Sequence, residues 1–365
     1  MDAQDELLEA IVGLVARSMD ALQMLGFIAR HMHPPDIAAL AAVLGDADTS
    51  LQTAHAQFTA ARWPAHLESF RDQAGQAASF TLRACEGIRA AAVPGADVRR
   101  LTLRALRQAS RAEEALYPLT TSLPSVSKFF VEQDRRDDQT LLERLAAGMV
   151  RTDGQAGVFH AANEPDERGG FSVFVPEDYD SARPHPLVMA LHGGAGHGRL
   201  FLWTWVRAAR THGAIVAAPT STGDTWSLMQ PDVDAAHLAN VLQQVTQRWN
   251  VDRSRLLLTG MSDGGTFTLL SGLDAGSPFT HLAPVAASFH PMIVAMSEAR
   301  RISGLPVYLV HGALDWMFPV SVARSAYAAL DAAGAKVAYR ELADLSHTYP
   351  RDETARMLQW LSEAN

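Results

Sequence analysis

The sequence has a single cysteine, Cys85, in 365 residues, so no disulfide within the chain holds the fold together. Cys85 lies in the helix-like stretch Phe80-Thr-Leu-Arg-Ala-Cys-Glu-Gly-Ile88, where a small buried residue is expected rather than a reactive thiol. No apolar run approaches the about 18 uninterrupted residues of a membrane span. The chain opens Met1-Asp-Ala-Gln-Asp-Glu6, acidic where an export signal would be basic, which sets the expectation of a cytoplasmic protein. The formal charge of −9 has no basic stretch set against it, so nucleic acid is not an expected partner. No spaced set of His, Asp and Glu reads as a metal site, and no cofactor is expected.

The remaining composition is that of a protein with a large core: 48% of the residues are hydrophobic and 19% charged. The length suggests two domains, and the sequence changes rhythm accordingly. From Glu6 to about Ala147 apolar residues such as Leu7, Ile11, Leu14, Leu22 and Leu25 recur three to five apart, the period of helices. Breaks at His33-Pro-Pro35, Trp63-Pro64, Val93-Pro-Gly95 and Leu123-Pro124 divide this half into about six helices, with Asp36, Asp48 and Asp97 placed as N-caps. Short connections predict an antiparallel bundle over residues 1–150. Glu132-Gln-Asp-Arg-Arg-Asp-Asp138 reads as a solvated charge run.

Residues 151–365 alternate short apolar runs with helix-like stretches, the mark of an α/β domain. Gly157–His160 and Phe171–Val175 predict an antiparallel hairpin at a sheet edge. The uniformly apolar runs at 187–191, 214–218, 256–259, 284–288 and 307–310 suit a parallel sheet covered on both faces. Right-handed crossovers then collect the loops at the carboxyl ends of those strands.

Gly260-Met-Ser262-Asp-Gly264 follows an apolar run and precedes a helical stretch, the setting in which G-x-S-x-G exposes a nucleophilic serine on a sharp turn. A serine hydroxyl needs a general base, and the base an orienting acid. Asp315, at the end of His311-Gly-Ala-Leu-Asp315, and His347, in Leu345-Ser-His-Thr-Tyr-Pro350, follow Ser262 in the order Ser, Asp, His. Asp344 and Glu341 compete as acids but share a strand or loop with His347; His192 and His290 precede the acid and read as structural. His192-Gly-Gly194-Ala-Gly196 is the natural source of one oxyanion donor, the other being the Asp263 amide. It lacks the Gly-Lys-Ser/Thr ending of a phosphate-binding loop.

The HGG loop, the G-x-S-x-G turn, the HGxxD loop and the SHTYP loop, in that order, resemble the α/β-hydrolase superfamily, and within it the phospholipase/carboxylesterase and polyhydroxybutyrate-depolymerase-like esterases. The resemblance covers residues from about 155 to the end. It implies a triad of Ser262, Asp315 and His347, with the amides of Gly194 and Asp263 binding the oxyanion. Ser346 departs from the glycine that many relatives carry before the histidine.

Trp226, Trp316, Phe289 and Met229 are expected to line an apolar substrate pocket, whereas Trp203 and Trp205 are expected in the core. The reaction expected is hydrolysis of a small carboxylic ester through an acyl-enzyme, with lysophospholipid, phospholipid or thioester hydrolysis as the alternative. A reading of a different class makes residues 1–150 a partner-binding, oligomerising or capping module, with homo-oligomers as one outcome.

Overall fold

The computed structural model describes residues 3–149 and 154–363. Contacts divide the chain into two compact units, Met1–Arg136 and Asp137–Asn365.

The first unit is helical: α1 (Ala3–Arg30), α2 (Ile37–Ala42), α3 (Ala47–Ala60), α4 (Glu68–Ala91), α5 (Val98–Leu116) and α6 (Pro124–Phe129), joined by short connections, three of which include a 3₁₀ turn. By length and composition α1 is apolar enough over Gln4–Arg30 to cross a membrane, with mean hydropathy 1.4, although acidic and basic residues interrupt it. Its Leu14, Val15, Ala21, Leu22, Leu25 and Ile28 are buried, and it packs on α3, α4 and α5. That burial puts one face of α1 in the core of this unit. Alanines on α4 and α5 let those two helices approach closely; a Cβ at Gly87 would lie 2.8 Å from that of Ala105. Cys85, also on α4, is buried, and burial pushes its thiol up to about 12, leaving it protonated at neutral pH.

Of the three expected N-caps only Asp97 caps with its side chain, accepting from the Arg100 amide at 3.0 Å. Asp36 makes no such bond, and Asp48 lies inside the first turn of α3, where its carboxylate pairs with Arg89. The outer face of α5 exposes Arg99, Arg100, Arg104 and Arg107, a local basic strip within an acidic chain, contrary to the expectation that none exists.

In the second unit α7 (Gln139–Met149) precedes the sheet. Its period reads as one more helix of the preceding bundle, yet Arg144 pairs with Asp178 and Gly148 lies against the Glu177 backbone, where a Cβ would collide. The eight strands are β1 (Gly157–Ala161), β2 (Phe171–Val175), β3 (His185–Leu191), β4 (Ile215–Pro219), β5 (Val251–Met261), β6 (His281–Val285), β7 (Pro306–Gly312) and β8 (Lys336–Leu342), in the order β1-β2-β4-β3-β5-β6-β7-β8. As the sequence predicts, β1 and β2 form an antiparallel edge and the strands of the five apolar runs are parallel; β8 joins them as a sixth.

Between and after the strands lie α8 (Gly198–Phe201), α9 (Val206–His212), α10 (Asp232–Arg248), α11 (Asp263–Gly272), α12 (Met292–Ala295), α13 (Ala299–Ile302), α14 (Val320–Ala332) and α15 (Glu353–Glu363). β6 begins and ends three residues before the apolar run at 284–288. Its register is set by pairing of His281–Val285 with Leu257–Met261, and the chain turns at Ala286, where φ is 46°. Core side chains from both faces of the sheet include Leu187, Met189, Leu258, Phe267 and Val307. Trp203 and Trp205 are buried, as expected.

The buried face of α1 predicts that Leu14→Ala, at a fully buried position, destabilises the first unit by roughly 2–5 kcal/mol. Val12→Ala, on the exposed face, is expected to stay within about 0.5 kcal/mol. Denaturant titration of the two variants checks this, and equal effects would contradict the packing.

Candidate active site

The candidate site is built from loops at the carboxyl ends of β3, β5, β7 and β8. Ser262 stands between β5 and α11 with φ 54° and ψ −117°, in the region that side chains other than glycine rarely enter. Its own amide donates to the Val285 carbonyl at 2.9 Å and its carbonyl accepts from the Thr266 amide at 2.8 Å. The two motif glycines are there for contact. A Cβ at Gly260 would collide with the Gly264 carbonyl, and one at Gly264 would come within 2.5 Å of the His192 carbonyl. The strained serine is thus held by the strand before it and the helix after it.

His347 Nε2 lies 3.1 Å from Ser262 Oγ, and its Nδ1 lies 2.8 Å from Asp315 Oδ2. A carboxylate only accepts, so Nδ1 carries the proton and Nε2 presents its lone pair to the serine hydroxyl. Asp315 is fixed on its other side, Oδ1 accepting from the Met317 and Phe318 amides at 2.9 and 2.8 Å. Burial alone would raise its carboxyl, but the hydrogen bond from His347, the Phe318 amide and the two neighbouring histidines outweigh it and hold the group below its usual range. Asp315 is therefore held as a carboxylate beside the His347 ring.

Sequence reasoning passed over His311, which is fully buried with Nε2 3.4 Å from Asp315 Oδ2 and donates to the Phe318 carbonyl at 2.9 Å. It sets the loop that carries the acid. Ser346, the departure from glycine before the histidine, donates from Oγ to the Leu314 carbonyl at 3.3 Å and so ties the His347 loop to the Asp315 loop.

Gly194 lies in the turn after β3, closed by the Gly196 amide donating to the Gly193 carbonyl at 2.9 Å and followed by Ala195 at φ 52°. Asp263 begins α11, where the first amides of a helix lack partners within it. The Asp263 carboxylate accepts from Thr225 Oγ1 at 2.5 Å, turned toward the glycine loop: a Cβ on Gly194 would meet Oδ2 at 2.8 Å.

His192, read in the sequence as structural, anchors the loop. Its Nδ1 lies 2.7 Å from the Gly193 carbonyl and its Nε2 accepts from the Ser221 amide at 3.1 Å, which fixes the neutral Nδ1–H tautomer. Burial pushes its pKa down to about 3. His290 is exposed and accepts from the Met292 amide at 3.2 Å. The competing acid Glu341 is taken by Arg324 and Tyr339.

The expected pocket wall is only partly assembled. Trp316 is 43% exposed and its ring meets His347 edge-on, with centroids 6.1 Å apart. Phe318 lies closer, at 5.4 Å. Phe289 is half-buried against the core. Trp226 is no pocket wall: it is fully buried, stacks on Phe267 at 5.4 Å and donates to the His192 carbonyl at 2.7 Å, so it supports the glycine loop from beneath. Met229 is 94% exposed, too solvated to wall a pocket. Among the described residues no group of three or more His, Cys, Asp or Glu is placed to hold a metal ion.

An antiparallel edge, a parallel sheet whose strand order switches between β3 and β5, and a serine with positive φ between β5 and α11 define the class: the second unit has the α/β-hydrolase fold. Within it, residues 233–365 match the model of the Phospholipase/Carboxylesterase family.

A curated relative is the bifunctional acetylxylan esterase/xylanase XynS20E of Neocallimastix patriciarum, 27% identical over 154 residues, 41% of this chain. The match spans only 22% of that protein. Similar solved structures include a thermostable esterase, with 21% identity, 57% of this chain, 62% of that one and a TM-score of 0.45. Another is the fluorophosphonate-binding serine hydrolase FphF of Staphylococcus aureus, with 16% identity, 57% of this chain, 97% of that one and a TM-score of 0.45.

The neutral state of His192 has a measurable consequence. An unfolded histidine takes up a proton near pH 6.5, roughly, whereas His192 in the folded chain stays neutral down to about 3. Above that range neither state is protonated and stability is unaffected. Within it the unfolded state binds the extra proton, so stability falls as the pH drops toward 3. Unfolding free energy measured from pH 7 to 4, roughly, should fall with a slope that His192→Gln makes shallower by about one proton. An unchanged slope would mean that His192 titrates normally.

Proposed function

We propose that this protein is a serine hydrolase that cleaves small carboxylic esters through an acyl-enzyme. The observation that carries the reading is the hydrogen-bonded chain from Ser262 Oγ through the His347 ring to the Asp315 carboxylate, 3.1 and 2.8 Å in its two links. In this reading Ser262 attacks the ester carbonyl carbon while His347 Nε2 takes the hydroxyl proton, and the amides of Gly194 and Asp263 receive the developing oxyanion. The imidazolium then returns its proton to the leaving alkoxide as the carbon–oxygen bond breaks. A water, deprotonated by His347 in turn, attacks the acyl-serine and releases the acid. Asp315 stabilises the imidazolium in both half-reactions without itself taking the proton.

The family match at 233–365, which includes Ser262, Asp315 and His347, supports ester cleavage. The acyl group is assigned to the surface beside Phe318 and Trp316, whose rings flank His347. The acetylxylan esterase relative favours a short acyl group over a phospholipid or thioester.

Two outcomes follow for hydrolysis of p-nitrophenyl acetate by the full chain. Ser262→Ala should abolish both turnover and labelling by a fluorophosphonate; labelling of the variant at the wild-type rate would refute the reading. Asp315→Asn keeps the shape but loses the charge that orients His347, and should lower kcat by roughly 10³- to 10⁴-fold. A loss confined to KM would contradict its role.

A further inference from the structure

Arg168 lies in the connection between β1 and β2, outside every motif of the site, yet its guanidinium reaches two of the loops behind it. Nη1 donates to the Gly196 carbonyl at 2.7 Å, and Nε and Nη2 donate to the Gly223 carbonyl at 2.9 and 2.5 Å. Nη2 also donates to Ser221 Oγ. No carboxylate is among these partners. The nearest countercharges, Asp224 and Asp234, act on the guanidinium without bonding to it, and partial burial outweighs them and lowers its pKa, so its hydrogen bonds to neutral oxygens carry a desolvation cost.

What the fork holds is specific. Gly196 closes the turn that carries Gly194, through its amide on the Gly193 carbonyl. Ser221 and Gly223 belong to the stretch whose backbone donates to His192 from Ser221 and accepts from the Ala195 amide at the Asp224 carbonyl, 3.2 Å. Asp234 fixes the same stretch from the other side, accepting from the Thr222 and Ser227 amides at 3.0 and 2.7 Å. The turn bearing Gly194 is therefore gripped at Gly193 by His192, at Ala195 by Asp224 and at Gly196 by Arg168.

We propose that Arg168 is a positioning residue for the oxyanion: its planar fork sets the turn from Gly193 to Gly196 against the stretch from Ser221 to Gly223, so that the Gly194 amide is aimed before substrate arrives. The proposal rests on the esterase reading above. An amide displaced from the oxyanion loses its effect in the transition state more than in the bound ester, whose neutral carbonyl makes weaker demands. Arg168 does not touch substrate in this account. It acts through the Gly196 carbonyl.

The test is the kinetics of full-length Arg168→Ala and Arg168→Lys on p-nitrophenyl acetate, beside wild type. In Arg168→Ala kcat should fall by roughly 10²- to 10³-fold, with KM changed by less than about threefold. Guanidinium added at low, non-denaturing concentration should restore part of kcat to Arg168→Ala. Arg168→Lys should remain at least about tenfold below wild type, since a single ammonium cannot span Gly196 and Gly223 as the planar fork does.

Wild-type kcat in either variant overturns the proposal, as does a loss that guanidinium does not relieve in a folded Arg168→Ala. If Arg168→Ala does not fold, Arg168→Lys decides alone. A wild type that neither turns over ester nor takes fluorophosphonate at Ser262 would instead refute the underlying esterase reading.

Discussion

The second unit is organised around one close approach of backbone to backbone. Where β5 ends, the chain reverses into α11 so tightly that Gly260 lies against the Gly264 carbonyl and Gly264 against the carbonyls of Leu191 and His192. The residue at the apex must then adopt φ 54°, a conformation that costs a side-chain-bearing residue about 1–3 kcal/mol. The surrounding structure offsets that cost: the Ser262 amide is satisfied by Val285, Thr266 bonds back to the Ser262 carbonyl, and Phe267 anchors α11 in the core. Because the same contact involves the end of β3, the turn that raises the serine also fixes the start of the loop carrying Gly194.

The other groups are brought to this point by strand order and by hydrogen bonds between loops. The β7 and β8 loops are laced together by the Leu314 amide on the Leu345 carbonyl and by Ser346 on the Leu314 carbonyl, so Asp315 and His347 move as one piece. Buried Asp315 stays charged because two backbone amides and the His347 ring donate to it, with the His311 ring alongside. His192, also buried, stays neutral because burial disfavours the charged ring, and its two neighbours fit the Nδ1–H tautomer. Two buried titratable groups at the same end of one sheet are thereby held in opposite charge states, one bonded to the His347 ring and the other bracing a loop.

Much of this was legible in the residues. The edge hairpin, the parallel strands and the four loops follow from apolar runs and from glycines that mark close approach, and the order Ser262, Asp315, His347 follows from the chemistry a serine requires. Signals that depend on what lies across a gap in sequence were not legible. Trp226 sits in a polar loop and reads as a pocket wall, but its indole is drawn into the core by Phe267 and by the His192 carbonyl. α7 has the period of the helices before it, and only Asp178 and the Glu177 backbone show which unit it joins. The arginines of α5 are diluted by a net charge of −9 and appear as a strip only when wound onto a helix. Arg168 carries no motif at all, and only its distances to Gly196 and Gly223 single it out.

The central claim is that Ser262 forms a covalent acyl intermediate, and trapping that intermediate tests it most directly. The full-length protein mixed with p-nitrophenyl acetate and quenched in acid within the first turnover should carry one acetyl group, on the peptide that contains Ser262, and Ser262→Ala should carry none. Acetyl found on a different residue, or an unmodified wild type that still releases p-nitrophenol, would contradict the account.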